Sequence, residues 1–346
     1  MSYAYTASFC FLLLLMSITI FAPLVMIQIK GSINMNKIET MLHTLSLWES
    51  LLIFTFIIFI SMFIYQKVSK QKITKNDLSH SHVTNKSKPI ENSKRRIVTG
   101  NAQHIGWRLE QQDTVGFSNL HDEAFIYQFG ALAVLADGIG HLLRGKDVSQ
   151  IAVQTFIEHY LHTPYIHTIP EKLASSVEAA NDAVLHFARE NGLEGRVGTT
   201  IAAAVVYKAN LYWLSVGDSR IYLCQESSIT QLTTDHIYAK ELDEKAANGS
   251  ITFEEAINDP QRENIVSYLG IERLEEIDIS LEPIHLNKGE SILLCSDGLY
   301  QSITIDEILM TFRSFPTQDA AERLIEIALS KQKPNQDNVT AVIFSI

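Results

Sequence analysis

The sequence predicts an α+β domain of layered sheets and helices, preceded by a two-helix transmembrane hairpin. Three observations predict it. Beyond residue 97, apolar runs suited to strands are grouped with one another and amphipathic helical runs likewise, which favours α+β layers over a parallel βαβ sheet. Ahead of them lie two long apolar stretches without a polar stripe, SLLIFTFIIFISMFIY being apolar on all sides. Between the two parts runs a basic segment with almost no apolar periodicity. At 346 residues, with 46% hydrophobic and 19% charged residues, the chain can bury a core, and wholesale disorder is excluded.

The first stretch, Phe9 to Ile29, has 21 residues and no charge. As a helix it is about 31 Å long, which matches a bilayer core. A secretory signal would need a basic leader, and Met1 to Ser8 has no Lys or Arg. The second stretch, Leu45 to Tyr65, carries only Glu49, near its start, where headgroups solvate it. Lys67, Lys70, Lys72 and Lys75 follow it closely, against Lys30 and Lys37 between the stretches. The positive-inside rule therefore expects a multi-pass protein of the inner or plasma membrane with its C-terminal part in the cytoplasm.

Gln66 to Ile97, with nine basic and two acidic residues, is expected to be a flexible linker, in solution or against anionic lipid. Residues 98–346 hold 17 Lys and Arg against 35 Asp and Glu, a net charge of −18. An acidic domain is a poor partner for nucleic acid and a good one for cations. Cys10, Cys224 and Cys295 are too few and scattered for a disulfide framework or a Cys-type zinc site. The last two read as buried thiols on strands.

Within 98–346, Ala131 to Ala136 reads as a buried strand ending at Asp137-Gly138. Lys146 to His162 has helical spacing at Val148, Ile151, Ala152, Thr155 and Phe156. Pro170 opens a second helix with Leu173, Val177, Ala180, Val184 and Phe187 on one face, stopped at Asn191-Gly192. Thr199 to Tyr207, Leu211 to Val216 and Arg220 to Cys224 read as a β-meander, with Tyr212, Trp213 and Tyr222 as core or cross-strand residues. A polar, helix-prone stretch from Asp235 to Ser267 follows. Then come a strand at Ser291 to Cys295, helices near Ile305 to Phe312 and Gln318 to Lys331, and a last strand at Val339 to Phe344.

Four acids share one local arrangement, a carboxylate beside a strand end followed by Gly, Ser or Asn: Asp137, Asp218, Asp297 and Asp337. Asp113, in QQDTVGF, is a fifth. Any one alone is ordinary turn chemistry. Together, at the ends of strands that close into sheets, they converge on one edge, where hard cations with oxygen ligands offset their repulsion. Two such ions form the clamp used for displacement at phosphorus.

These segments resemble the metal-dependent Ser/Thr protein phosphatases of the protein phosphatase 2C type, over about His104 to Phe344. The resemblance is carried in order by GWRLEQQD, LADGIGHLLRGKDVS, GTTIAAAVV, LSVGDSRIYL, LTTDHI, NGSITFEEAINDPQRENIVSYLG, LLCSDGL and NQDNVTAVIF. It implies a four-layer α-β-β-α sandwich of two antiparallel sheets flanked by helices. It also implies two Mn2+ or Mg2+ ions bridged by Asp137, with the Gly138 carbonyl on one of them and Asp297 and Asp337 completing the second. Asp113 would hold metal-bound water, Asp218 would serve a third, weaker ion or the water shell, and Arg108 would grip the substrate phosphate. The implied nucleophile is a metal-bridging hydroxide. The implied partners are proteins phosphorylated on Ser or Thr by a cognate kinase.

The pattern is departed from in four places. Ile139 stands where some relatives have a His proposed as general acid, His141 where a second Gly is usual, Leu142-Leu143-Arg144 where the stretch is small and polar, and Gln112 where many have Glu. None removes a main ligand. An alternative of another class is a catalytically weak, phosphatase-like binding or signalling module.

Overall fold

Backbone pairing turns the apolar runs into two antiparallel sheets. The computed structural model describes residues 97–139, 143–163 and 167–346. By its contacts the chain divides into units of 1–90 and 91–346, and the described residues lie in the second. Both expected membrane spans, and the linker up to residue 96, lie outside them. Among the described residues no helix is long and apolar enough to cross a membrane.

In chain order the elements are β1 (Val98–His104), β2 (Asp113–Phe117), α1 (Glu123–Phe129), β3 (Ala131–Asp137), α2 (Gly145–His162), α3 (Ile169–Glu190), β4 (Ile201–Tyr207), β5 (Asn210–Val216) and β6 (Arg220–Cys224). There follow β7 (Ile229–Gln231), α4 (Ala239–Ala247), α5 (Phe253–Ile257), β8 (Asp278–Ile279), β9 (Ile284–His285), β10 (Ser291–Cys295), α6 (Asp297–Tyr300), α7 (Ile305–Ser314), α8 (Thr317–Ser330) and β11 (Val339–Ser345). One sheet runs β1-β11-β10-β6-β7; the other runs β2-β3-β4-β5-β8, with β9 also paired to β5.

Three apolar clusters set the layers. Leu135, Ala202, Ile221, Leu294 and Phe344, from both sheets, fill the space between them. Leu132, Val134, Ala203 and Val205 pack outward against Val148 and Phe156 of α2 and Leu173 and Val177 of α3. On the far side, Leu293, Ala341 and Ile343 meet Ile308 of α7 and Leu324 of α8. The order helix, sheet, sheet, helix follows because the inner strands are apolar on both faces and each face needs a cover. The helices are started by their own sequence. Thr168 with Glu171, Thr252 with Glu255 and Thr304 with Glu307 each form a capping box at the head of α3, α5 and α7.

The expected meander is corrected. β4 and β5 pair, but β6 leaves for the other sheet and pairs with β10 and β7. Gly217, with φ of 104°, makes the crossing possible. Ile221 then faces the inter-sheet core and Tyr222 the α7/α8 side. Tyr212, Trp213 and Tyr222 are cross-strand partners of Val205, Ala204 and Leu293. The stretch from Asp235 to Ser267 delivers only the short helices α4 and α5. Cys224 and Cys295 are buried free thiols, both with pKa values raised by burial.

Candidate active site

The acids that stand at strand ends in the sequence come together at one end of the sandwich. β3 is buried along its apolar length and delivers Asp137 at its last position, directly opposite Asp113, the first residue of β2. The Asp137 backbone is fixed on its other side. Its N–H donates to Thr200 Oγ1 at 3.0 Å, and its carbonyl accepts from Thr200 N and Thr199 Oγ1, both at 2.8 Å. Gly138 has to be Gly, since a Cβ there would lie 2.5 Å from the Gly145 carbonyl oxygen at the head of α2.

The second sheet brings Asp297 and Asp337. β10 ends at Cys295, and Asp297 opens α6 two residues later. Asp337 precedes β11, the neighbour of β10. The segments that carry these two acids meet tightly, because a Cβ on Gly298 would lie 2.1 Å from the Asn338 carbonyl oxygen. Asp218 sits where the chain crosses between the sheets, and its Oδ2 accepts from the Tyr300 hydroxyl at 3.3 Å. Behind it, Arg220 forms a close ion pair with Asp235 and stacks 3.6 Å from the centre of the Tyr300 ring.

Burial and mutual repulsion govern the electrostatics. Asp113 is 4% exposed and its pKa is pushed up to about 6, mainly by burial. Ser296 and Thr340 oppose that rise by donating to Asp113 Oδ2 at 2.8 and 2.6 Å. Asp297 is pushed up to about 8, first by burial and then by Asp218, Asp337 and Asp113. Asp218 reaches about 6 through burial and the charge of Asp235. Asp137 is raised well above the ordinary carboxylate range, by burial and then by Asp113, Asp297, Asp218 and Asp337 in that order. Asp137 thus feels the charge of each of the other four acids.

This donor set fits hard divalent cations. It is all oxygen, and two of its buried atoms, Asp113 Oδ1 and Asp297 Oδ1, have no hydrogen-bond partner. A buried carboxylate oxygen left bare costs free energy that a cation returns. Among the described residues no three His, Cys, Asp or Glu side chains are grouped closely enough to enclose an ion by themselves.

Arg108, expected at the substrate phosphate, is paired with Asp337 Oδ2 at 2.5 Å. Its loop is held by Asn338, whose Nδ2 donates to the carbonyls of Ile105 and Glu110 at 2.8 and 3.1 Å while its Oδ1 accepts from Gln112 N at 2.7 Å. Asn338, Ser296 and Thr340 were visible in the sequence as neighbours of the acids, in CSDG and QDNVT, but nothing in the spacing gave them a role. Ile139 is buried at 7% and donates its N–H to the Gly198 carbonyl, so it is part of the core. His141 lies outside the described residues.

The protein phosphatase 2C family model matches residues 101–332. The chain belongs to the protein phosphatase 2C family. The Ser/Thr protein phosphatase PstP of Mycobacterium tuberculosis is 32% identical over 232 residues, 67% of this chain and 43% of that protein. The chain thus spans less than half the length of that relative. The Ser/Thr phosphatase stp of Listeria monocytogenes is 30% identical over 219 residues, 61% of this chain and 83% of that protein. The crystal structure of the M. tuberculosis PstP/Ppp phosphatase matches with a TM-score of 0.59 at 30% identity, over 72% of this chain and 98% of that one. A PstP catalytic domain solved with two manganese ions matches with a TM-score of 0.57 at 29% identity, over 72% and 97%.

Proposed function

We propose that this protein phosphatase 2C member is a metal-dependent phosphoprotein phosphatase acting on phosphoserine and phosphothreonine. The observation that carries it is the set of five mutually repelling acids with two bare buried oxygens, set beside an Arg. The names of the mycobacterial and listerial relatives support the same activity.

Asp137, the Gly138 carbonyl, Asp297 and Asp337 would hold two Mn2+ or Mg2+ ions, Asp113 would orient water at that centre, and Asp218 would serve a third, weaker ion or the water shell. When bound, the ions supply an activated water as nucleophile and neutralise charge developing on the phosphoryl oxygens. Arg108 exchanges its partner, since a guanidinium released from Asp337 offers a planar fork to two phosphate oxygens. Ile139 has no proton to give, so the leaving alkoxide takes its proton from water. The chain needs no side-chain nucleophile, and no phosphoenzyme is expected.

We also propose that the spans at 9–29 and 45–65 anchor the domain to the inner or plasma membrane on its cytoplasmic face. Its substrates are then membrane-proximal products of a cognate Ser/Thr kinase. The basic cluster after the second span supports that orientation.

The test is hydrolysis of a phosphothreonine peptide by the full chain with Mn2+ or Mg2+, with and without excess chelator. Turnover abolished by chelator is the expected result. Full turnover in chelator overturns the metal mechanism, and no turnover with either ion leaves the binding module as the function. A C-terminal tag digested by protease from outside sealed, right-side-out cells overturns the topology.

A further inference from the structure

The loop that carries Arg108 presents large apolar side chains to solvent on both sides of it. Trp107 is 70% exposed and Leu109 is 103% exposed. One exposed apolar residue needs no explanation, but a Trp and a Leu bracketing the phosphate-binding side chain do. The loop is also well tied. Trp107 N–H donates to the Gln336 carbonyl at 2.8 Å, and Asn338 bonds the loop at Ile105, Glu110 and Gln112. Gly106, with φ of 62°, lies so close to the next segment that a Cβ would be 2.1 Å from the Asp337 carbonyl oxygen. Both side chains thus project from a backbone fixed to the acid centre.

We propose that Trp107 and Leu109 are specificity-determining residues that contact apolar side chains flanking the phosphorylated Ser or Thr of a protein substrate. The proposal rests on the phosphatase reading above, in which the phosphate is held at Arg108. Geometry names the occupant. Neighbouring residues of the loop and of an extended substrate are both about 3.3–3.8 Å apart along their chains. A phosphate seated at Arg108 therefore brings the residues one to three positions away over Trp107 and Leu109. Charge removes acidic flanks from the class, because a domain of net charge −18 repels them, and the apolar character of Trp107 and Leu109 themselves selects apolar ones.

The experiment uses the full chain with Mn2+ and two phosphothreonine peptides of equal charge, one with Leu and Phe beside the phosphoresidue and one with Gly and Ser. The wild type is expected to favour the apolar peptide by about tenfold in kcat/KM, the discrimination one apolar contact supplies, expressed in KM. In Trp107→Ala/Leu109→Ala the ratio between peptides falls toward one, and in Trp107→Phe it is largely kept. Equal kcat/KM for both peptides in the wild type overturns the proposal, as does a ratio retained in the double variant. An equal loss on both peptides assigns the residues a structural role and also overturns it. Binding of the same sequences as non-hydrolysable phosphonates, followed by calorimetry, settles the contact without turnover. A chain that hydrolyses neither peptide yet binds the apolar one more tightly sinks the phosphatase reading alone.

Discussion

Asp113 and Asp137 stand directly opposite each other across the β2–β3 pair, two carboxylates at a position where a sheet ordinarily matches complementary side chains. The charge of Asp113 is the largest contribution after burial to the raised pKa of Asp137. The pair therefore destabilises the fold unless a cation or a proton stands between its oxygens.

Asp137→Asn is expected to lower kcat at least a hundredfold, about 2.7 kcal/mol in activation free energy. In excess chelator the same variant should melt higher than the wild type, because one repelling charge is gone. A thermal melt and a rate assay on one preparation check both, and near wild-type turnover would mean that the bridging role is misassigned.

The pH dependence of stability in excess chelator follows from the raised acids. Asp113 at about 6 and Asp297 at about 8 lie above the ordinary aspartate value of 3.8, so the folded state binds more protons than the unfolded state between those limits. Their stabilisation is fully present below about pH 4 and is lost as pH rises through 6 and then 8, by up to about 1.4 kcal/mol per unit for each group. The melting temperature should fall from pH 5 to pH 8, and Mn2+ should restore it at pH 8. A flat profile would mean that burial and neighbouring charge do not raise these two carboxyls in the folded state.

Arg108→Ala is expected to raise KM for a phosphopeptide with little loss of stability. The Arg108 and Asp337 side chains are 41% and 28% exposed, and such pairs contribute about 1 kcal/mol or less. Metal affinity, read by calorimetry, should change little. A variant with normal KM and lost metal binding would show that Arg108 organises the centre through Asp337.

Gly106→Ala should be more damaging than its size suggests. The residue has φ of 62° and no room for a Cβ against Asp337, and overpacking of this kind costs about 1–3 kcal/mol. Because the loop carries Arg108, KM should rise along with the loss in melting temperature. An unchanged KM would separate the loop from substrate binding.

Much of this was legible in the sequence, for local reasons. LADG, CSDG and QDN place acids at strand ends, and a buried strand ending in Asp announces itself by its apolar run. The departure of β6 was not legible, since a Gly-Asp-Ser turn reads the same whether the chain returns to its sheet or crosses to the next. β1 and β2 were also missed as elements, because Gly100, Asn101 and Gly116 interrupt their alternation. Long-range relations stayed hidden for another reason. The facing of Asp113 and Asp137 is set by register, and the capture of the Arg108 loop by Asn338 joins residues more than 220 positions apart.

The placing of β11 has a consequence for the life of the chain. It is the last in order of the described strands, yet it lies inside its sheet between β1 and β10, with Asp337 just ahead of it. A polypeptide still emerging from the ribosome, or cut ahead of residue 337, keeps Asp113, Asp137 and Asp297 but leaves β1 and β10 with facing edges open and the cation centre one carboxylate short. On the proposed reading, a copy without β11 would bind cations weakly and leave a phosphopeptide uncut, so the sheet and the chemistry would be completed by the same segment.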